Sequence, residues 1–391
     1  MKIEKADKMR GFEAGIFTIL NEKKMEVERT GRKIYNFSIG TPDFEPFPHI
    51  MKTVSDACLK PENYKYSITD MEELVEAVQY RYHKRYGVDL QKDEIMSIYG
   101  SQEGMTHILQ PLINPGDIVL LPNPGYPIFS MGAYLAQADQ WYYPLTPDKD
   151  YLPDFEAIPE EIKKSAKAMV VSYPANPLCV TAPDSFYEEL IAFAKENEII
   201  IIHDNAYSDI VYDGRPGKSF LSFPGAKEVG VEFYSLSKSF NYTGARMSFV
   251  VGNSDIVDLF KTFRSQIDYG TFYPIQMGAI DALTGDYDLE IRRQCAEYER
   301  RRDALCDGLT EIGWSIPKSQ GTMFAWGPIP DGYDDSNSFV LDLIEKTGVI
   351  CTPGSSFGSL GEGYVRFALV LPPEEIAEAV KAVKESGILS K

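Results

Sequence analysis

The chain is short of positive charge. Its 391 residues carry 39 lysines and arginines against 58 aspartates and glutamates, a net charge of −19. That balance repels phosphate backbones and anionic lipid surfaces, and with no basic stripe or tail it argues against nucleic acid and membrane as partners. Paired cysteines are also missing. Cys58, Cys179, Cys295, Cys306 and Cys351 are odd in number and nowhere spaced as CxxC. They read as reduced thiols of a cytoplasmic protein, not as a disulfide frame or a zinc or other metal site. The opening MKIEKADKMRGFEAG has charges where a signal peptide needs an apolar run, so secretion is not expected. The uncharged run from Ile118 to Ala138 is long enough to span a membrane, but Pro122, Pro124, Gly125 and Pro127 near its middle would break such a helix. Strand, loop and helix are predicted there. No internal repeat and no low-complexity linker is present.

What is there is the composition of a globular protein with room for two domains, 44% hydrophobic and 25% charged. Between about residues 95 and 255, apolar runs alternate with amphipathic segments. EIMSIYG, DIVLLPNP, AMVVSYP, EIIIIHD, VEFYSLS and MSFVVGN are the runs, several apolar nearly throughout, as strands buried on both faces of a parallel sheet are. Asp184 to Glu198 reads as a helix opened by an aspartate cap, with Tyr187, Leu190, Ile191 and Phe193 on one face. The fold class is α/β, a mainly parallel central sheet flanked by helices, with a smaller α+β domain. After Thr284 come a long charged helix (EIRRQCAEYERRRDALCDGLTEIG), short strand-like pieces, and a last helix with prolines at its opening turn and glycine after its end. The expected division is a large domain of residues 46–284 and a small one of 1–45 with 285–391, the latter including an N-terminal helix over residues 10 to 30.

Ligands of such sheets collect at the carboxyl ends of the strands, where four pieces fall. Gly100-Ser-Gln-Glu-Gly104 follows a strand and opens a helix expected over MTHILQPLI, so its N–H groups and helix dipole suit an anion. Asn176 follows AMVVSYPA. Asp204 and Tyr207 end EIIIIHDNAY, and an acid closing so apolar a strand needs a cationic partner or a special role. Lys238 closes VEFYSLS within SLSKSFNYTGAR. Each piece alone is more often a turn or a helix start than a site. Together, an anion cup of Ser101, Gln102, Ser235, Ser237 and Arg246, an acid and one lysine suit a phosphorylated pyridine aldehyde, pyridoxal 5′-phosphate. Its aldehyde needs an amine for a Schiff base, its ring nitrogen a carboxylate, and its phosphate donors.

In family order stand FSIGTPDF, YGSQEG, NPGYP, YPANP, HDNAYSDI, SLSKSFNYTGAR and PGSSFGSLGEGYVRFAL. On these motifs the chain resembles the class I/II aminotransferases, fold-type I pyridoxal phosphate enzymes. Through GVDL, GSQEGMTHI, FPGAKEVGVEFYSLSKSFN and DYGTFYPIQ it is most similar to the LL-diaminopimelate and alanine-type branch. The resemblance implies that Lys238 is the Schiff-base lysine and that Asp204 pairs with the pyridinium nitrogen. Ser101, Gln102, Ser235, Ser237 and Arg246 would hold the phosphate, and Tyr126, Asn176 and Tyr207 the ring. Arg366 would clamp the substrate α-carboxylate with help from the Gly40 N–H. Tyr66 would reach the phosphate in the other subunit of a homodimer. The implied reaction moves an amino group from an L-amino acid to a 2-oxo acid through a pyridoxamine phosphate intermediate, with Lys238 as general base.

Three outcomes are weighed, transamination first, a C–S β-lyase second, a non-catalytic regulator last. The family pattern is broken at Leu178-Cys179, where Thr-Gly is usual, at Asp70, where glycine is common, and at Ala245, where an aromatic residue is usual. These leave the cofactor chemistry intact and alter turns and pocket volume. The donor stays open among diaminopimelate, alanine, glutamate and aromatic amino acids, because its pocket is expected from loops near residues 10 to 20, 40 to 48 and 265 to 275. Other residues have plain readings. His203 is expected to be packed, Trp314 and Trp326 to be core, Cys179 to approach the pocket without reactivity, and Arg292, Arg293, Arg300, Arg301 and Arg302 to form a solvated helix face.

Overall fold

The computed structural model describes residues 1, 3–12 and 16–390; Glu13 to Gly15 of the expected N-terminal helix and pocket loop lie outside them, and the helix runs Ile16–Arg29. A seven-stranded sheet forms the centre of the fold. In chain order its strands are β1 (Ile95–Ile98), β2 (Ile118–Asn123), β3 (Asp139–Pro144), β4 (Ala166–Ser172), β5 (Ile200–Asp204), β6 (Gly230–Ser235) and β7 (Ser248–Gly252). Their spatial order is β1-β7-β6-β5-β4-β2-β3. Only β7 runs against its neighbours, pairing antiparallel with both β6 and β1. β5, β6 and β7 bury nearly every residue. Helices cover both faces, so a strand there has no solvent side on which to place a polar residue.

The sequence reading missed β3. It is an edge strand paired only to β2, mostly half-buried or exposed, with Tyr143 its one buried residue, so no apolar run marks it. Two other local expectations are corrected. The helix after Gly100 starts at Ser101 and ends at His107, earlier and shorter than expected. The helix Asp184–Asn197 is capped by Pro183 without a side-chain bond, and Asp184 pairs with Lys218 instead. Lys218 therefore takes the carboxylate that a cap would have turned to the helix N–H groups.

A three-stranded antiparallel sheet lies C-terminal, in spatial order β9-β10-β8, with β8 at Phe324–Pro328, β9 at Thr352–Pro353 and β10 at Tyr364–Ala368. Tyr35–Asn36 pairs in parallel with Val349–Ile350, tying the N-terminal segment to this part. The last helix, Pro373–Ser386, starts with proline at its first turn and stops at Gly387, whose φ of +68° costs glycine little.

The long charged helix spans Asp288–Glu311. Arg292, Arg293 and Arg300 are exposed as expected, but Arg301 and Arg302 are buried, a correction to the solvated-face reading. They share the inward stripe of Tyr298 and Leu305, at helical spacing, and each is neutralised by carboxylates: Asp43 and Glu297 for Arg301, Asp213, Glu299 and Asp303 for Arg302. Burial of a guanidinium needs such partners. The same holds for Glu232 in β6, fully buried, which accepts from Tyr82, Ser219, the Phe220 N–H and His203.

Candidate active site

The parallel strands end at one edge of the sheet, and that edge delivers the site. β5 ends on Asp204, β6 on Ser235, and the segment after β4 carries Asn176. A cavity of about 590 Å³ opens there between the large sheet and β8–β10, and twelve of the thirteen residues singled out from sequence line it, all but Tyr66.

At one end the donors converge. Gly100 has φ +84°, a left-handed backbone conformation that favours glycine, and the missing Cβ leaves room for Arg246 Nη2, which lies 2.1 Å from where it would stand. Arg246 is exposed and donates to the Thr243 carbonyl at 3.0 Å. Ser101 lies 3.4 Å from Ser248, which lies 2.8 Å from Ser235, and Ser235 accepts from the Ser237 N–H at 3.2 Å. Gln102 stands exposed on the rim. Hydroxyls, helix-start N–H groups and a guanidinium make a cradle for a small dianion.

Asp204, 9% exposed, accepts from the Ala206 N–H at 3.3 Å. Burial raises its carboxyl to about 6, offset in part by His203. It is a buried acid waiting for a positive N–H. Lys238 donates to the Gly40 carbonyl at 2.8 Å, and its Nζ lies 5.9 Å from the centre of the Tyr207 ring. Burial first, then the Arg366 and Arg246 charges, bring its amine down to about 8, against the opposing pull of Asp204. A lysine so lowered is a usable nucleophile and base near neutrality. Tyr126 is partly buried and Tyr207 buried, and burial holds both hydroxyls above their usual value, so they act as neutral donors.

Arg366, 4% exposed, fixes the other end. Its Nη1 donates to Asn176 Oδ1 at 2.8 Å, and its guanidinium lies 4.1 Å from the Phe324 ring centre and 4.6 Å from that of Phe357. Nε has no partner, and the groups acting on the charge are tyrosines and a cysteine, not carboxylates. A desolvated fork held between two rings with no acid beside it is a receptor for a carboxylate. Phe324 and Phe357 were not singled out from sequence. For Phe324 the available signal was the alternation Phe324-Ala-Trp326, which the register sets opposite Ala368-Phe367-Arg366, so that Phe324 and Arg366 share a face. Phe357 comes from the turn Gly354–Phe357 outside these strands.

Tyr66 is not brought to this cavity. It is 77% exposed and packs edge-on against Tyr269 at 5.2 Å. His203 turns to Glu232 at 3.0 Å and is fully buried, as a packed histidine. Cys179 is buried and its thiol is pushed up to about 12, so it is inert. Asp70, at one family departure, accepts from the Ser97 N–H at 2.8 Å and holds the end of β1. Among the described residues no cluster of His, Cys, Asp and Glu suits a metal, and no helix is long and apolar enough to cross a membrane.

The family model described as aminotransferase class I and II matches residues 32–383. LL-diaminopimelate aminotransferase of Halothermothrix orenii is 41% identical over the full length of both chains. Glutamate-pyruvate aminotransferase AlaC of Escherichia coli is 37% identical over 94% of this chain and 90% of its own. Among solved structures, apo-BacF of Bacillus subtilis superposes with a TM-score of 0.94 at 36% identity, covering 98% of each chain.

Proposed function

The chain belongs to the class I and II aminotransferase family, and on that premise we propose which of its residues carry pyridoxal 5′-phosphate-dependent amino transfer and which donor it takes. The cavity fits the cofactor on its own chemistry: a donor cradle for the phosphate, a buried acid lacking a cation, and an amine near neutrality. When bound, pyridoxal 5′-phosphate supplies an aldehyde that condenses with amines and a protonated ring that accepts the electrons left at Cα. Ser101, Gln102, Ser235, Ser237 and Arg246 hold its phosphate. Asp204 keeps the proton on the ring nitrogen, and Tyr126, Asn176 and Tyr207 orient the ring. Lys238 is the covalent anchor, and its Nζ, once free, carries the proton from Cα. Arg366 binds the α-carboxylate with the Gly40 N–H.

The donor is an L-amino acid with one carboxylate and an apolar side chain. The observation that carries this is the lining: apart from the cofactor groups and Arg366, the large side chains of the walls are Ile39, Ile128, Met131, Phe324 and Phe357. The polar ones are the uncharged hydroxyls of Ser38, Thr243 and Ser356, and among the described residues no second cation lines the cavity for a distal carboxylate. Arg264, beside the expected pocket loop at 265 to 275, is committed to Asp268 through Nε and Nη2 and to the Ser97 carbonyl at 2.7 Å. The competing reading is LL-diaminopimelate, favoured by the name of the 41% identical relative. A donor panel decides: alanine, leucine and phenylalanine are expected to exceed glutamate and LL-diaminopimelate in kcat/KM, and the reverse order refutes the apolar assignment.

The same proposal includes a homodimer. Tyr64, Tyr66, Ile68, Tyr269 and Phe272 form exposed apolar surface, which supports Tyr66 serving the site of a second copy. The division into 46–284 and 1–45 with 285–391 is supported by the separate sheets. A cytoplasmic setting is supported by the free thiols.

A further inference from the structure

The loop over the reactive lysine is held from outside the cavity by one buried arginine. Arg301, 5% exposed and on the helix Asp288–Glu311, grips Asp43 with both nitrogens, Nη1 at 2.7 Å and Nη2 at 2.9 Å. Its Nη1 also donates to the Leu369 carbonyl at 3.0 Å, and its Nε to Glu297 at 3.0 Å. The guanidinium stacks 4.8 Å from the Phe44 ring, which meets Tyr298 edge-on at 5.0 Å. Asp43 and Phe44 end the segment that begins at Phe37 and includes Gly40; Leu369 directly follows the strand of Arg366.

The two segments that Arg301 joins meet again in the site. The Gly40 carbonyl takes the Lys238 amine, and a Cβ on Gly40 would lie 2.5 Å from the Phe324 ring, on which Arg366 rests. The Phe37 carbonyl accepts from the Ala368 N–H at 2.7 Å, so the loop and the Arg366 strand also share a backbone bond. A helix charge thus fixes the spacing between the substrate loop and the carboxylate arginine.

We propose that Arg301 is a positioning residue which, through Asp43, sets donor affinity by latching the Gly40 loop to the strand of Arg366. The bidentate geometry matters: a lysine keeps the charge but cannot hold Asp43 and the Leu369 carbonyl in the same plane. The proposal rests on Arg366 as the carboxylate site, and the experiment separates the two.

The test compares Arg301→Lys, Asp43→Asn and the double variant with the parent as cofactor-loaded enzyme. Donor KM, donor affinity from titration of the cofactor absorbance, kcat and thermal midpoint are read for each. Either single change is expected to raise donor KM and weaken titrated affinity ~5- to 20-fold with kcat within ~3-fold, and the double variant to lose no more than the worse single. Asp43 is one-third exposed, so Asp43→Asn keeps the test alive should Arg301→Lys fold poorly. Unchanged KM and affinity in a variant with a lowered thermal midpoint would show a purely structural pair, and multiplying losses would show independent residues; either overturns the latch. If instead Arg366→Lys leaves donor KM untouched while Asp43→Asn raises it, the carboxylate assignment fails and the latch does not.

Discussion

Arg366→Lys probes the carboxylate end of the site most sharply. The native guanidinium is planar, buried between Phe324 and Phe357, and anchored on Asn176. A lysine there retains one donor direction toward a carboxylate and loses the second bond of the fork. A charge-assisted hydrogen bond contributes about 1.5–3 kcal/mol, which is ~10- to 150-fold in affinity. The loss goes further, because burial already lowers the arginine itself and an amine in that position would shed its proton far more readily. Expected is a fall in kcat/KM for every L-amino acid donor of ~100-fold, mostly in KM, with the cofactor's visible band retained because Lys238, Asp204 and the phosphate donors are untouched and Asn176 loses only its bond to the arginine. The assay is steady-state transamination with 2-oxoglutarate or pyruvate as acceptor, alongside titration of that band. Activity within ~3-fold of the parent would refute Arg366 as the carboxylate receptor.

Lys238→Ala is expected to abolish turnover, by at least ~10⁴-fold, with the circular dichroism of the folded protein retained; substantial turnover would remove Lys238 from the chemistry. Asp204 carries a pH-dependent prediction. Its carboxyl is raised to about 6 against ~3.9 unfolded, so its neutral form stabilises the fold at low pH and that contribution is lost as pH rises through 6. Cofactor-free Asp204→Asn is therefore expected to gain up to about 3 kcal/mol over the parent, with the gain growing from pH 5 to 7.5 in thermal melts; a gain that is flat or shrinks with pH contradicts the burial argument. Glu232→Ala, which does not line the cavity, strips a buried acceptor from Tyr82, Ser219, Phe220 and His203 and is expected to cost about 3–5 kcal/mol in urea unfolding, while a loss under 1 kcal/mol would show the cluster to be dispensable.

The sheet was legible because its strands are buried on both faces, so AMVVSYP and EIIIIHD stand out as unbroken apolar runs. β3 was not, because an edge strand with one buried residue looks like loop. Arg301 and Arg302 were read from their glutamate neighbours, whereas their spacing to Tyr298 and Leu305 placed them inward. The site was more legible than the fold's details, since a phosphate, a ring nitrogen and an aldehyde each demand a different residue type at a strand end. The rings around Arg366 escaped notice because aromatic residues in short strands and turns are ordinary core. The pairing of β8 with β10 puts Phe324 on the face of Arg366, and only the folded turn Gly354–Phe357 brings Phe357 to the other side of the charge. Tyr66 shows the opposite limit: within one chain it stays exposed against Tyr269, and the role expected of it needs a second copy.

The most direct measurement of the central claim is a single-turnover absorption experiment. Cofactor-loaded protein is mixed with one amino acid at a time and no 2-oxo acid, and the absorbance and products are followed together. Amino transfer through Lys238 predicts that the visible band gives way to a near-ultraviolet one while one 2-oxo acid per site appears and no ammonia is released. A band that persists while pyruvate and ammonia accumulate from a β-substituted amino acid, or a protein that takes up no cofactor at all, would contradict it.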